Sequence, residues 1–357
     1  MTPRSSTNTD RVSQCERLRD AGLQSLVLLP ESDAYVKREA TYWAKNVALN
    51  PSCIVQPRTS QDVSRVVKVL ANADGLVALR SGGHTQWAGS NDIAQGVTID
   101  LGRMTDVTYD ARSKVASIQP GPRWGDVYDK LLKYSVCVTG GRDGNVGIGG
   151  FLTGGGNSYY AGLYGMATDN VVNFEVVLAN GQIVNANAKS HPDLWTALKG
   201  GSGNFGIVTR FDMATFPAHD LWGGIRVATR SEGDKLAHAM VDFTNKNEKN
   251  PEDAHIINYT YGPTGPDVVV AHVVVDTKGV VNAPAFREIQ KIPVVMDDVK
   301  KRSMANMANS YLLPSHQQYV YTQIVLTLLT KLDKYGSRWA LRTTSRSSRR
   351  RASCTMS

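Results

Sequence analysis

Two stretches of the chain carry apolar residues at helical spacing. Four apolar positions within residues 63–70 follow an i, i+3, i+4, i+7 pattern, which predicts one buried face of a helix. Thr59, with Asp62 three residues later, is typical of the N-cap of that helix. A second helix of the same type is predicted over residues 124–131, and a shorter one follows Pro192.

Short apolar runs between these helices predict β-strands. Residues 171–188 contain two such runs around an Asn-Gly turn, which is typical of a β-hairpin. Because helices and strands mix without regular βαβ alternation, the predicted fold class is α+β. The glycine-dense residues 140–156 are predicted to be loop, and the chain from Arg302 onward to be helix and loop. The remaining predicted strands are a short one at 54–55 that ends at a proline, 76–79 (of the buried type), 97–101, 115–118, 204–211 and 268–275.

Three glycine-bearing segments are candidates for ligand binding. Residues 80–84 read Arg-Ser-Gly-Gly-His and follow a predicted buried strand. Adjacent glycines let successive backbone N–H groups face one point, which makes a nest suited to a pyrophosphate. Alone, these five residues are more typical of a tight turn with an exposed histidine. Residues 200–209 are a helix end followed by a strand, whose backbone could lie against an adenine.

The remaining segment, residues 146–156, concentrates glycines, which a loop tolerates when a ligand or another backbone approaches closely. A Rossmann fingerprint is one alternative, because Gly147 and Gly149 fill its first two positions and Asp169 lies downstream. The match fails at Leu152, which occupies the third glycine position, and at Asp169, which precedes a strand instead of ending one. The segment also lacks the Gly-Lys-Ser/Thr signature of a P-loop.

Taken together and in order, the three segments closely resemble the PCMH-type FAD-binding domain of vanillyl-alcohol-oxidase-type and berberine-bridge-enzyme-like oxidases. The nearest resemblance is to fungal FAD-linked oxidoreductases. It extends from about residue 51 to residue 217. Further matching motifs lie at residues 51–55, 96–101, 121–128, 169–171 and 204–209.

The resemblance implies that FAD is the cofactor and that His84 bonds covalently to the 8α carbon of the flavin ring. Doubly linked members carry a cysteine where this chain has Asp143, and Cys137 lies too far away, so a single link is expected. Val146 occupies the position at which related plant enzymes admit dioxygen with Val and block it with Leu. The implied cofactor-binding residues are Arg80, Ser81, Gly82, Gly83, His84, Thr85, Gly89, Gly121, Gly141, Val146, Gly147, Gly149, Gly150, Gly154, Gly155, Gly156, Asp169, Gly206, Ile207 and Val208.

The resemblance also implies an activity, the oxidation of a small molecule by hydride transfer to flavin, with dioxygen as the expected acceptor. One alternative is a catalytically impaired flavin-binding protein, and a less favoured one is a nicotinamide-dependent dehydrogenase. No catalytic base is predicted. The candidates His255, His272, Tyr259 and Tyr261 are more typical of strand residues with a structural role.

Four regions are expected along the chain: an N-terminal lead-in (1–45), the two-lobed FAD-binding domain (46–218), an incomplete α/β substrate domain (219–322) and an atypical basic tail (323–357). The C-terminal stretch with which family members complete the flavin domain is not found, so the chain is expected to be truncated. Such a truncation would leave apolar faces bare, including that of the strand at 268–275.

Charge and composition limit the kinds of binding partner that are expected. Residues 331–357 hold eight Lys or Arg and one acidic residue, which accounts for most of the net charge of +8. The body is therefore nearly neutral, and no nucleic-acid partner is expected. No apolar run approaches the roughly 20 residues of a membrane span, and the polar N-terminus lacks a signal core, so a cytoplasmic protein without a membrane partner is expected. No metal site is predicted, and Cys15, Cys53, Cys137 and Cys354 are expected to be buried free thiols.

Overall fold

The computed structural model describes residues 14–261 and 267–310. Its first sheet has four strands in the order β1-β2-β4-β3. Strands β2, β4 and β3 run parallel, whereas β1 pairs antiparallel with β2. The strands are β1 (Val27–Leu28), β2 (Cys53–Val55), β3 (Val77–Arg80) and β4 (Val97–Asp100).

Two helices accompany this sheet, α1 (Asp33–Glu39) and α2 (Ser60–Ala71). Helix α2 connects β2 to β3 and confirms the helix predicted from apolar spacing. The hydroxyl of Thr59 accepts a hydrogen bond from the backbone N–H of Asp62 at 3.1 Å, so the predicted N-cap is also confirmed. Its buried face packs against apolar residues of β2 and β4.

Residues 14–45, predicted to be a lead-in, contribute to the core of the first sheet. Leu18 and Leu23 are buried in the same cluster as Val55 and Ile99. Strand β1 extends the sheet beyond β2. The predicted domain limit at residue 45 stays a prediction, but this segment packs as part of the first lobe.

The expectation of free thiols is wrong for two of the four cysteines. Cys15 and Cys53 form a disulfide across 38 residues of sequence. Neither lies in a spacing motif, and only the packing of the N-terminal segment against β2 brings them together. Cys137 is free and buried, as predicted, and Cys354 lies outside the described residues.

The second sheet is antiparallel, with strand order β5-β6-β10-β8-β9. It confirms the predicted hairpin as β8 and β9. Its helices include those predicted near residue 124 and after Pro192. The elements of this lobe are β5 (Val107–Asp110), β6 (Val115–Ile118), α3 (Trp124–Leu132), β7 (Val136–Cys137), α4 (Ile148–Thr153), α5 (Ala161–Tyr164), β8 (Val171–Val177), β9 (Ile183–Asn187), α6 (Pro192–Leu198), β10 (Ile207–Ala214) and β11 (Phe216–Pro217). Strands β7 and β11 pair with each other as a separate two-stranded sheet.

Two predictions in this lobe need correction. Residues 140–156 are not loop throughout, because Ile148–Thr153 form helix α4. The strand predicted from residue 204 begins instead at Ile207, since a 3₁₀ turn at Ser202–Phe205 and Gly206, with a φ of 140°, precede it. In the first place, Gly149 and Gly150 lie inside the helix; in the second, Gly206 separates the 3₁₀ turn from the strand.

The third sheet is antiparallel and covers much of the described C-terminal part. Its order is β13-β14-β12-β15, and β16 also pairs with β12. The elements are β12 (Leu221–Thr229), α7 (Gly233–Lys246), β13 (Asp253–Tyr261), β14 (Val268–Asp276), α8 (Arg287–Gln290), β15 (Met296–Asp297), β16 (Lys300–Arg302) and α9 (Met304–Asn309).

The expectation that the strand at 268–275 exposes a bare apolar face is wrong. Strand β14 lies inside the sheet and pairs along its length with β12 and β13. On one face Val274 packs with Trp222 and Phe243. On the other, Val273 and Val275 join the core of the second sheet. Both faces are therefore covered.

None of the helices among the described residues is long and apolar enough to cross a membrane. The basic tail, residues 323–357, lies outside the described residues.

Candidate functional site

A cavity of about 630 Å³ opens where the three glycine-bearing segments meet. Its walls are the turn after β3, the start of α4, and the 3₁₀ turn with the first residues of β10. This volume lies within the roughly 300–1,000 Å³ typical of small-molecule and cofactor sites. The predicted site residues that line it are Ser81, Gly82, Gly83, His84, Thr85, Val146, Gly147, Gly149, Gly150, Gly206 and Val208.

The first and second glycine segments along the chain, residues 80–84 and 146–156, cross each other at Gly82 and Gly147. A Cβ atom on Gly82 would lie 2.5 Å from the Cα of Gly147, and the reverse substitution would clash in the same way. Because only glycine permits this approach, the crossing is what brings the His84 turn and α4 to one cavity. The hydroxyl of Ser81 ties them together, since it accepts from the N–H of Gly149 at 3.0 Å.

Arg123, which sequence reasoning missed, clamps the same crossing. Its guanidinium donates to the carbonyl oxygens of Gly82 and, at 2.9 Å, Asn145. Burial, with the nearby charges of Arg38 and Arg80, lowers its pKa to about 10, so it remains a cation at neutral pH. The only local signal for Arg123 is its place just before helix α3, within the motif at residues 121–128.

His84 lies in the wall of the cavity with one face of its ring covered. Trp43 stacks on it, with 4.7 Å between ring centroids and 19° between ring planes. Its Nε2 is buried and has no hydrogen-bond partner among the described residues. Burial and the charge of Arg123 lower the pKa of His84 to about 4. The imidazole is therefore neutral near pH 7, with the lone pair that a nucleophile requires.

Two glycines of the cavity wall face open space. A Cβ atom on Gly150 would meet no heavy atom within 4 Å, and one on Gly203 would meet only the side chain of Leu79, at 4.0 Å. Neither glycine is required by the packing of the protein. Their bare backbone at the cavity surface fits a ligand that lies directly against it, as a flavin or a phosphate would.

Arg80 does not line the cavity, although it was predicted to bind the cofactor. It is fully buried, and its guanidinium lies 3.6 Å from the centroid of the Tyr42 ring. It donates to the carbonyl of Arg38 at 3.1 Å and to the hydroxyl of Thr41 at 2.7 Å. Arg80 therefore supports the turn from the protein core, on the side away from the cavity.

Other predicted site residues also lie outside the cavity lining, and local packing explains several of their glycines. A Cβ on Gly121 would meet the carbonyl of Met104 at 2.5 Å, and one on Gly141 would clash with the indole of Trp124. One on Gly154 would lie 2.9 Å from the carbonyl of Gly150. These glycines allow close packing inside the second lobe.

The remaining members of this group differ among themselves. Gly155 and Gly156 have φ angles of 110° and 77°, which side chains rarely adopt. The carboxylate of Asp169 accepts from the N–H of Met166 at 2.9 Å and closes a turn. Gly89 has φ of 85° and open space around it, and Ile207 lines an adjoining apolar groove.

Several lining residues were not predicted. Val77 was assigned to a buried strand, but it is 44% exposed because it faces the cavity. Phe151 and Thr153 could have been found by treating the second glycine segment as one continuous wall. Asn91 and Asn204 also line the cavity. Asn91 lies in a stretch without periodicity, which gives no signal.

The histidines and tyrosines of the third sheet do not line this cavity. Nε2 of His255 lies 3.3 Å from Nδ1 of His272. His272 is fully buried in the sheet, and His255 is half-buried. The hydroxyl of Tyr259 donates to the carbonyl of Gly233, whereas Tyr261 is largely exposed. Among the described residues, no group of three or more His, Cys, Asp or Glu is placed to hold a metal ion.

Comparison with known proteins agrees with this geometry. The profile of the FAD binding domain family matches residues 51–187. The FAD-dependent monooxygenase sdcF of Emericella nidulans is 37% identical over 317 residues, which are 88% of this chain and 65% of that protein. The chain thus contains an FAD binding domain at residues 51–187 and is similar to FAD-dependent enzymes over most of its length. The resemblance found in the sequence is thus confirmed.

Two solved structures share the fold. The 6-hydroxy-D-nicotine oxidase of Arthrobacter nicotinovorans superposes with a TM-score of 0.70 at 23% identity, over 79% of this chain and 62% of that one. Berberine bridge enzyme of Eschscholzia californica gives 0.66 at 20% identity, over 83% and 62%. These matches confirm the mixed α and β fold. The chain spans 65% and 57% of the length of two curated relatives that it matches.

Proposed function

We propose that the cavity holds FAD and that the flavin is bonded covalently to His84 alone. The observation that carries this proposal is the imidazole of His84, which lines the cavity with a buried Nε2 that has no hydrogen-bond partner in the described part of the chain. The open faces of Gly150 and Gly203 supply bare backbone for the rest of the cofactor. When bound, FAD supplies a two-electron acceptor for a hydride from a substrate carbon, with dioxygen as the proposed final acceptor.

The residues of the chain contribute orientation and charge. Ser81 and Arg123 hold the two glycine segments together. Arg123 also lowers the pKa of His84, so its positive field reaches the cavity wall. Such a field favours anionic groups, both the pyrophosphate of a dinucleotide and the negative charge that a flavin gains on reduction.

A single link is supported by the surroundings of the second glycine segment. The position at which doubly linked relatives carry a cysteine is Asp143 here. Cys137 is fully buried in the core of the second sheet, and burial raises the pKa of its thiol to about 12. Its thiol is therefore protonated at neutral pH and a poor nucleophile.

The proposal is tested by the visible spectrum of the purified protein and by turnover. We expect a flavin band that bleaches when a substrate is added without oxygen and returns in air with release of hydrogen peroxide. A panel of alcohols, amines and sugars covers the substrate classes that this chemistry allows. A band that never bleaches would favour the alternative of a flavin-binding protein without turnover. A colourless protein after expression with ample riboflavin would reject FAD binding.

A further inference from the structure

The turn that carries His84 is held by a segment that lies outside the matched FAD-binding domain. Residues 41–47 pack directly against it. The backbone N–H of Trp43 donates to the carbonyl of Gly83 at 3.1 Å. The side-chain amide of Asn46 donates to the carbonyl of Gln86 at 2.9 Å. The turn is thus fixed on both sides of His84 by the N-terminal part of the chain.

Tyr42, the residue before Trp43, supports this contact from the protein core. Tyr42 is fully buried, stacks on the guanidinium of Arg80, and donates through its hydroxyl to the carbonyl of Asn91 at 3.1 Å. Gly83 has a φ of 65°, and a Cβ there would lie 3.2 Å from the Tyr42 ring. The turn therefore closes onto Tyr42, and Trp43, the next residue, is brought against the imidazole.

The stacking of Trp43 on His84 is more specific than burial requires. Trp43 is 5% exposed and belongs to a small apolar cluster with Tyr42, Ala44 and Val47. Filling that cluster requires apolar volume but no particular angle to the imidazole. A flat ring within 19° of the imidazole plane does something else, because it leaves His84 only its in-plane atoms and one face available.

We propose that Trp43 is a positioning residue that fixes the plane of the His84 imidazole for its covalent attachment to flavin. This inference rests on the proposed function, since it presumes the His84 link. In that link the imidazole nitrogen supplies the electron pair of the new N–C bond. One proton would leave the other ring nitrogen and one would leave the flavin methyl carbon, and these two protons, with the two electrons released at that carbon, would be taken up by the flavin ring. Trp43 takes no part in these transfers; it limits the rotation of the ring that must make the bond.

The expected effect follows from orientation. Without the indole, the imidazole rotates about its Cβ–Cγ bond and spends less time with the reactive nitrogen directed at its target. Misorientation of a reacting group lowers rates by about tenfold to a hundredfold. Binding of FAD itself should persist, because Gly150, Gly203 and the crossing of Gly82 with Gly147 are unchanged.

The test follows covalent attachment over time. Wild type, Trp43→Leu, Trp43→Met and Trp43→Phe are produced in riboflavin-limited cells and then incubated with FAD. Bound FAD is measured by ultrafiltration, and covalent flavin by fluorescence of the acid-precipitated protein. The matched control is Trp87→Leu, which removes an indole that is 78% exposed, three residues after His84.

We expect the Leu and Met variants to bind FAD as wild type does but to link it at least about tenfold more slowly. The Phe variant, which keeps a flat ring, and the Trp87→Leu control should link at the wild-type rate. Equal linking rates in all variants would overturn the proposal, and so would loss of folding in both the Leu and Met variants, since Trp43 would then be a core residue only. Wild type that binds FAD but never links it would reject the His84 link itself, a failure that is distinguishable because it precedes any effect of Trp43.

Discussion

Val146 is a single side chain in the cavity wall whose size can be changed without altering the backbone. It opens the second glycine segment and lines the cavity beside Gly147. In close-packed surroundings, one added methylene displaces the neighbouring atoms. It can therefore close a path that is just wide enough for a diatomic molecule. The volume of this residue is therefore expected to control how dioxygen reaches the cofactor.

The variant Val146→Leu should slow reoxidation by about tenfold or more, which is roughly 1.4 kcal/mol in the barrier. The flavin can be photoreduced without a substrate and mixed with aerated buffer in a stopped-flow instrument. Val146→Ala serves as the control and should react at least as fast as wild type. Equal rates for Leu and Val would show that this residue does not gate oxygen.

At the scale of elements, glycine is needed for two different reasons. Gly82 allows two backbone segments to cross, whereas Gly150 leaves the surface of α4 open to a ligand. Gly82→Ala would push a Cβ against the backbone of Gly147, so we expect a lower melting temperature with or without FAD. Gly150→Ala meets no protein atom. Because Gly150 lies inside α4, where alanine is the better helix former, the variant should melt at or slightly above the wild-type temperature without FAD. It should nevertheless bind FAD more weakly. Thermal melts and equilibrium dialysis of both variants check this pair, and equal FAD affinity in Gly150→Ala would contradict the placement of the cofactor.

Strands β13 and β14 carry a pair of histidines that should make the protein sensitive to acid. Burial lowers the pKa of His255 to about 3 and that of His272 to about 4, with further lowering by Arg226. Unfolding restores values near 6.5. The unfolded state thus binds more protons between these values, so stability is complete above about pH 6.5 and falls as pH drops towards 4.

Replacing one histidine should flatten this pH dependence. The free energy of unfolding in urea, measured from pH 7 to pH 4.5, should fall less steeply for His255→Leu than for wild type, by up to about 1.4 kcal/mol per pH unit. The comparison between variant and wild type cancels contributions from other groups, including the buried carboxyls of Glu39 and Asp253, whose raised pKa values act in the opposite direction. Parallel pH profiles would mean that His255 is not buried in its neutral form.

Local patterns predicted the elements that depend on local forces. The apolar spacing of α2, its Thr59 cap and the Asn-Gly hairpin of β8 and β9 are determined within a few residues, and the structure confirms them. The resemblance also located the segments that form the cavity wall and about half of its lining residues. What the sequence did not reveal depends on contacts between distant segments: the packing of Trp43 on His84, the bracing role of Arg80, and the exposure of Val77.

At the scale of the whole molecule, the disulfide between Cys15 and Cys53 ties the N-terminal segment to the first sheet. A cross-link of this kind stabilises a protein by typically about 2–4 kcal/mol. Disulfides are typical of proteins that fold in oxidising compartments, which weighs against the predicted cytoplasmic location.

A thiol count tests this cross-link. Denatured wild type should show two reactive thiols, from Cys137 and Cys354, and four after reduction. The double variant with Cys15→Ser and Cys53→Ser should lose about 2–4 kcal/mol of stability in urea, while Cys137→Ser leaves the cross-link in place. Four thiols without reductant would contradict the disulfide.

The covalent bond between His84 and the flavin is central to the proposed function. The most direct measurement is peptide mapping by mass spectrometry of protein that has been denatured, precipitated with acid and washed. We expect a yellow precipitate and one flavin-bearing tryptic peptide, the one that contains His84, with no flavin on the peptide that contains Cys137. His84→Ala should bind FAD but release all of it on denaturation. Wild-type protein that releases its flavin completely, or that carries it on any other residue, would contradict the account.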